Sequence, residues 1–284
     1  MLGPTFTDIR HLDSVDSTNR YLLDLARQGA PEGVVVVADH QSAGRGRLGR
    51  RWEAPAGANL LTSVLLRPDL PADRRYLASA VVALAAADGA GTTTGVTLDL
   101  KWPNDLLAGD GRKVAGILAE ADLDGAADSS PPRRPAIVVG VGINVNWPAT
   151  DAELPAELVG TATSLCQLAG GPVDRSSLFN ALLAALEPRA ADLGTPDGRR
   201  RQVKELRARC TTLGAQVRVE VPGGSFEGTA TGLTDEGHLL VDQAGILRTV
   251  VAGDVVHVRA APSPVGPPPG HAGGPVSGGA AGPE

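Results

Sequence analysis

The densest chemistry in the 284-residue chain lies in the run Gly44 to Trp52, GRGRLGRRW. Its three glycines let the backbone approach an anion and expose amide N–H groups. Arg45, Arg47, Arg50 and Arg51 add planar guanidinium forks suited to phosphate or carboxylate. The spacing matches neither GxGxxG nor GxxxxGK[ST], so neither a Rossmann site nor a P-loop is supported. The plainer alternative is a solvated basic loop, or one that touches nucleic acid. A second run, KWPNDLL from Lys101 to Leu107, sets a lysine, an amide and a carboxylate close together. Asn104 and Asp105 there can read an amide-rich ring edge or face a metal, or simply form an Asx-turn at a strand end. GRKVAGIL, Gly111 to Leu118, places Lys113 just after a turn; strand alternation puts it on the face of Ala115 and Ile117. In GVGINVN, Gly140 to Asn146, the amides of Asn144 and Asn146 alternate onto one side of an apolar strand and need partners, either a polar ligand or the core itself. Ser17-Thr18-Asn19 reads first as a helix start, whose amides and hydroxyls also suit a carbonyl or carboxylate.

Composition bears on these choices. The chain carries 23 Arg and only three Lys, and two of the three, Lys101 and Lys113, fall in the runs above. Arginine is a planar fork, whereas lysine is a compact charge that reaches a single oxygen through a narrow channel. The net charge of −6 argues against coating nucleic acid through a basic field. With 42% hydrophobic and 20% charged residues the chain has ordinary globular usage. It has no run of 18 apolar residues, and its start lacks a basic stretch followed by an apolar one, so membrane and secreted classes are not expected. Cys166 and Cys210 cannot make a disulfide framework, which fits a reducing cytoplasm.

The elements that must position these residues follow from periodicity. TFTDIRHLDSV is strand-like, and DSTNRYLLDLARQG is a helix capped by Asp16 or Ser17 and stopped at Gly29. GVVVVADH is a buried strand, Gln41 to Gly57 a loop, ANLLTSVLLRP a strand, and RRYLASAVVALAAADGA a buried helix. TLDLKWPNDLLAGDGRKVAGILAEA gives two or three strands with a hairpin turn at Gly109-Asp110-Gly111, and AIVVGVGINVN another strand. Asp122 to Pro135 reads as an exposed loop. Helices are expected at Ala162 to Ala169, Arg175 to Leu193 and Asp197 to Thr211. From Gly214 short strands recur at regular spacing, the pattern of a small β-barrel. The expected division is 1–212 for an α+β catalytic unit, 213–259 for the barrel, and 260–284 for a disordered tail with 7 Gly and 7 Pro in its 25 residues.

Taken together, STN at 17–19, QSAGRGRLGRRW at 41–52, KWPNDL at 101–106, GRKVAGIL at 111–118 and GVGINVN at 140–146 resemble the biotin protein ligases (biotin–[acetyl-CoA-carboxylase] ligases) in order and spacing. The resemblance spans all but the tail. It implies an α+β fold, a mixed-sheet catalytic domain of the biotin/lipoate ligase type followed by a small SH3-like β-barrel. It also implies an activity: biotin's carboxylate attacks the α-phosphate of ATP, and the resulting biotinyl-5′-AMP passes its acyl group to a lysine of a biotin carboxyl carrier domain. By motif position, Ser17, Thr18, Asn19 and Gln41 would hold the ureido and ring end of biotin, and Gly116 would line its chain. Arg45, Gly46 and Arg47 would close over carboxylate and phosphate, with Lys113 between the two. Arg50 and Trp52 would flank the nucleotide, and Asn104 and Asn144 would lie near adenine. Lys101 and Asp105 would support the phosphates, Asp105 through Mg²⁺. Lys113, Arg45 and Arg47 are thus the catalytic candidates. Only 16 residues precede Ser17, too few for the DNA-binding domain of the family's repressor members, so no repressor role is expected. The rival readings are a lipoate ligase or octanoyl transferase, the latter needing a cysteine nucleophile where Cys166 reads as helix packing, and a ligand-sensing module without turnover.

Overall fold

The computed structural model describes residues 4–122, 134–221, 224–251 and 253–257. The expected loop at 123–133 and tail at 260–284 lie outside these. Seven strands form one mixed sheet: β1 (Ile9–Val15), β2 (Val35–Gln41), β3 (Leu60–Leu66), β4 (Asp99–Lys101), β5 (Asp105–Leu107), β6 (Lys113–Asp122) and β7 (Ala136–Ile143), in the order β1-β2-β3-β7-β6-β5-β4. β1 and β2 pair in parallel, and the other neighbours are antiparallel. The largely apolar β3 and the all-apolar β7 are buried along almost their whole length, as strands covered on both faces must be.

One face is covered by α1 (Thr18–Arg27), whose Leu22, Leu23 and Ala26 pack on Val34, Val36, Leu65 and Val138. The other face carries α2 (Tyr76–Thr94), followed in the chain by α3 (Leu165–Ala169), α4 (Arg175–Leu193) and α5 (Pro196–Arg209). α2 is apolar all round because it lies between the sheet and α4. A Cβ on Gly89 would stand 2.8 Å from Leu182 N, so glycine sets how closely these two helices approach. Arg189, mostly buried, ties the helical layer together through Asp88 on α2 and Glu205 on α5 at 2.5 and 2.6 Å.

A separate antiparallel sheet follows, in the order β11-β10-β9-β8-β12: β8 (Gln216–Val221), β9 (Gly224–Leu233), β10 (Leu239–Gln243), β11 (Ile246–Val250) and β12 (Asp254–His257). In β8, Val217 and Val219 are fully buried while Gln216, Arg218 and Glu220 face out, the period-two alternation of a half-covered strand. Its inner face joins the core of the first unit: Val217, Val219, Leu233 and Leu239 belong to the same apolar cluster as α2. At the seam Trp102 is buried and donates its indole N–H to Gly237 O at 3.0 Å, and His257 Nε2 lies 3.1 Å from Thr212 Oγ1. Among the described residues no helix is long and apolar enough to cross a membrane.

Two expectations need correction. β7 ends at Ile143, so Asn144 and Asn146 are not strand residues alternating onto one side. Their backbone leaves the ladder because Leu165 and Cys166, at the start of α3, donate to Asn144 O and Val145 O. α3 itself begins at Leu165 rather than Ala162, since Ser164 Oγ caps it by accepting from Gln167 N.

Candidate active site

The Gly-Arg run leaves β2 and returns to β3, and it closes on itself as a small flap. Gly46 N–H donates to Arg50 O at 2.7 Å, Trp52 N–H donates to Gly44 O at 3.0 Å, and Arg45 and Arg51 form a bridge. Leu48 at the tip is 68% exposed and sits at φ +55°, the left-handed region a bulky side chain rarely adopts.

Trp52 folds its ring beneath the flap, onto two strand glycines. A Cβ on Gly142 would come 2.5 Å from the ring, and one on Gly116 would come 3.0 Å from it and 3.2 Å from Lys113 Nζ. Two glycines on adjacent strands therefore make a flat floor that any side chain would break. The indole Nε1 of Trp52 is buried with no partner among the described residues, so a donor is left to be satisfied at that floor. Lys113 Nζ lies 5.6 Å from the ring centroid and 2.7 Å from Asp105 Oδ1.

The Lys113 side chain reaches the Gly116 side of β6, not the side of Ala115 and Ile117, which are core residues. The cause is a register shift. Leu106 pairs with Ala115 but Leu107 pairs with Lys113, leaving Val114 as the extra residue of a bulge that re-aims what precedes it. The Lys113 backbone is held on its other edge, its N–H donating to Thr161 O at 2.8 Å and its carbonyl accepting from Thr163 N at 2.9 Å.

KWPND joins this cluster through polar contacts. Asn104 Nδ2 donates to Asp105 Oδ1 and to Ile117 O, both at 3.2 Å, and its Oδ1 accepts from Arg47 Nη1 at 3.2 Å. Arg47 Nη2 also donates to Gly253 O at 2.7 Å. Burial lowers the Arg47 pKa, opposed by Asp254 and Asp105, yet a guanidinium keeps its charge through such a shift. Arg50 points outward to Asp254 at 2.8 Å. Lys101, half-buried at the end of β4, stands opposite Asp105 in the β4–β5 pairing.

At the far end of the same strip, the start of α1 forms a dense hydrogen-bonded group. Ser17 is its buried N-cap, with no capping bond from the side chain. Thr18 donates through N–H and hydroxyl to Gln41 Oε1 at 2.7 and 3.1 Å. Asn19 Nδ2 donates to Leu118 O at 3.0 Å and Glu120 Oε2 at 2.9 Å, and a Cβ on Gly140 would overlap Asn19 Oδ1. Ser63 donates to Asn19 Oδ1 at 2.7 Å and lies as close to Thr18 Oγ1. Glu120 also receives Arg45 at 2.9 Å, linking the α1 group to the flap.

The five sequence runs therefore meet on one strip along β6, from Lys113 through Gly116 and Leu118 to Glu120. Asn144 stands apart in character: its Oδ1 accepts from Asn59 Nδ2 at 3.2 Å and its Nδ2 donates to Thr163 O at 3.0 Å, the pattern of a satisfied core amide. Ser63, Glu120, Asn59 and Asp254 belong to the site's framework, yet no run marked them. Each is a single polar residue whose partners are dozens to hundreds of positions away. Among the described residues no cluster of three His, Cys, Asp or Glu could hold a metal ion. A cavity of about 320 Å³ near His11, Asp39, Arg175 and Phe179 contains none of the motif residues.

Chemically, the strip offers Lys113, Arg45 and Arg47, each steadied by a carboxylate, carbonyl or side-chain amide, beside half-buried amides and an indole shelf. It can hold two anions side by side and a planar ring near them.

Residues 12–131 match the model of the Biotin/lipoate A/B protein ligase family, and residues 212–258 match that of the Biotin protein ligase C terminal domain. The biotin--[acetyl-CoA-carboxylase] ligase of Mycobacterium tuberculosis is 40% identical over 259 residues, covering 88% of this chain and 90% of that protein. The bifunctional ligase/repressor BirA of Bacillus subtilis is 35% identical over 244 residues, covering 86% of this chain and 72% of that protein. Among solved structures, the biotin protein ligase of Aquifex aeolicus in complex with biotin and ATP superposes with a TM-score of 0.74 at 27% identity, covering 90% of this chain and all of that one.

Proposed function

The chain belongs to the biotin protein ligases of the biotin/lipoate A/B protein ligase family, and from that membership we propose that it activates biotin as biotinyl-5′-AMP and transfers the biotinyl group to one lysine of a biotin carboxyl carrier domain. The observation that supports this best is the meeting of Lys113 and Trp52 over the glycine floor, with Arg47 tied to Lys113 through Asn104 and Asp105, along the same strip as the Thr18–Asn19–Gln41 group. The Aquifex relative carries biotin and ATP together, and both fit the strip's chemistry.

In this proposal Thr18, Asn19 and Gln41, with Ser17, take the ureido end of biotin, and its chain runs over Gly116 toward Lys113. The carboxylate and the α-phosphate are both anions, so their approach must be offset by fixed charge. In this reading Lys113 Nζ, Arg45 and Arg47, with the Gly46 backbone, supply that charge as the flap closes over the two anions and stabilise what builds up in the transition state. Trp52 and Arg50 flank the nucleotide, with Asn104 near its base; Asn144 acts from behind, its amide already committed to the core. Asp105 and Lys101 complete the phosphate end. Asp105 Oδ1 receives Lys113 and Asn104, while its second carboxylate oxygen has no partner among the described residues. One carboxylate oxygen together with phosphates is an ordinary magnesium environment, so the Mg²⁺ arrives with the nucleotide as part of the substrate. The flap then excludes water from the mixed anhydride until the carrier lysine attacks. We place the reaction in the cytoplasm, with no repressor role.

Mass spectrometry of a carrier domain incubated with this protein, biotin, Mg²⁺ and ATP tests it. A gain of one biotinyl group, with AMP released, is expected. Transfer of lipoate or octanoate instead, or binding of biotin without AMP release, would overturn the proposal.

A further inference from the structure

The flap has little of its own to hold it in place. Its tip, Arg47–Gly49, has no fully buried side chain, and its own fastening is a few backbone hydrogen bonds. Besides Arg45 on Glu120, Arg47 Nη1 on Asn104 Oδ1 and Trp52 on the floor, its anchors are on the second sheet. Arg47 Nη2 donates to Gly253 O at 2.7 Å, and Arg50 Nη2 meets Asp254 Oδ2 at 2.8 Å. That platform is firm. Asp254 opens β12 in register with Glu220 of β8, its side chain is only 17% exposed, and a Cβ on Gly253 would stand 2.9 Å from Glu220 O.

We propose that Asp254 is a positioning residue that latches the Gly44–Trp52 flap over the cleft through Arg50, with Gly253 O gripping Arg47 beside it. The second sheet is thereby part of the closing device and not only a covering layer. Part of this inference rests on the proposed function, since a latch matters most where an activated intermediate must be kept from water. The latch itself is a property of the folded chain. Arg50 is 70% exposed, so the contact is weak enough to release in each cycle.

Hydrogen–deuterium exchange of the full chain without substrates tests the latch. Asp254→Asn should raise exchange of amides 44–52 by about fivefold, the upper range for an exposed ion pair. Peptides of β3, α2 and β8 should be unchanged, and Asp254→Glu should restore protection. With biotin, Mg²⁺ and ATP, Asp254→Asn should raise the Km for ATP and speed escape of the acyl-adenylate by a similar factor, with kcat for its formation little changed. Unaltered flap exchange in folded Asp254→Asn would overturn the latch. So would exchange rising equally across β8 and β12, which would mark Asp254 as purely structural. If the wild-type chain makes no acyl-adenylate, the proposed function fails while the substrate-free exchange still judges the latch.

Discussion

Lys113 meets Asp105 at 2.7 Å and lies beside the Trp52 ring, on a strand whose backbone is pinned from both edges. In the proposed reaction, removing its ammonium takes away charge at the reacting oxygens without touching a core contact. Lys113→Ala should therefore slow pyrophosphate release by about 10²- to 10³-fold, the range for loss of one preorganised donor, with little change in thermal midpoint. Gly142 gives a complementary test. A methyl there collides with the Trp52 ring and lifts it from its seat. Titration calorimetry of Gly142→Ala should show weakened ATP binding with biotin binding retained; equal loss of both would point to general damage of β7. At this scale the motifs marked residues that meet on one strip, but not where each points. The alternation rule aimed Lys113 at the core side of β6, because a one-residue bulge at Val114 leaves no mark in the letters GRKVAGIL.

Among the elements, apolar runs made the strands and helices readable, and the boundaries of β2, β3 and α4 follow the expected segments closely, while β1 starts only at Ile9. What escaped was the polar framework between elements. Ser63 sits within LLTSVLL and reads as a passenger, yet it couples β3 to both Thr18 and Asn19 of α1. Ser63→Ala leaves the buried Asn19 carbonyl short of a donor, at a cost of about 1–3 kcal/mol. A lower urea midpoint together with weaker biotin binding is the expected result, and unchanged biotin affinity would remove Ser63 from the site. Asn59 shows why such residues stay hidden: its Oδ1 accepts from Val145 N and Trp147 N, partners more than 80 positions away that only the assembled sheet brings near. Thr195 caps α5 locally, accepting from Gly198 N at 3.0 Å, yet the expected helix begins two residues later at Asp197.

For the whole molecule, the telling region is the seam between the two sheets. The change of texture from Gly214 was visible in the sequence, but the contacts across the seam were not, since Arg47 and Gly253 are 206 positions apart. His257 reports on that seam. Burial, reinforced by the charge of Lys101, holds its imidazole below the ordinary histidine range. The unfolded chain then binds this proton more tightly than the folded one, so the contribution to stability is full above a pH of about 6.5 and declines as pH falls through it. The urea midpoint of the wild type should fall between about pH 7.5 and 5.5, and His257→Asn should flatten that dependence. The Trp52 seat has one more consequence. Of the chain's three tryptophans, Trp102 is sealed at the seam and Trp147 follows β7, while Trp52 alone rides on the flap beside an ammonium. Indole emission responds to nearby charge and water, so with the other two exchanged for phenylalanine the protein would carry its own optical gauge of lid position, readable in real time without an added dye.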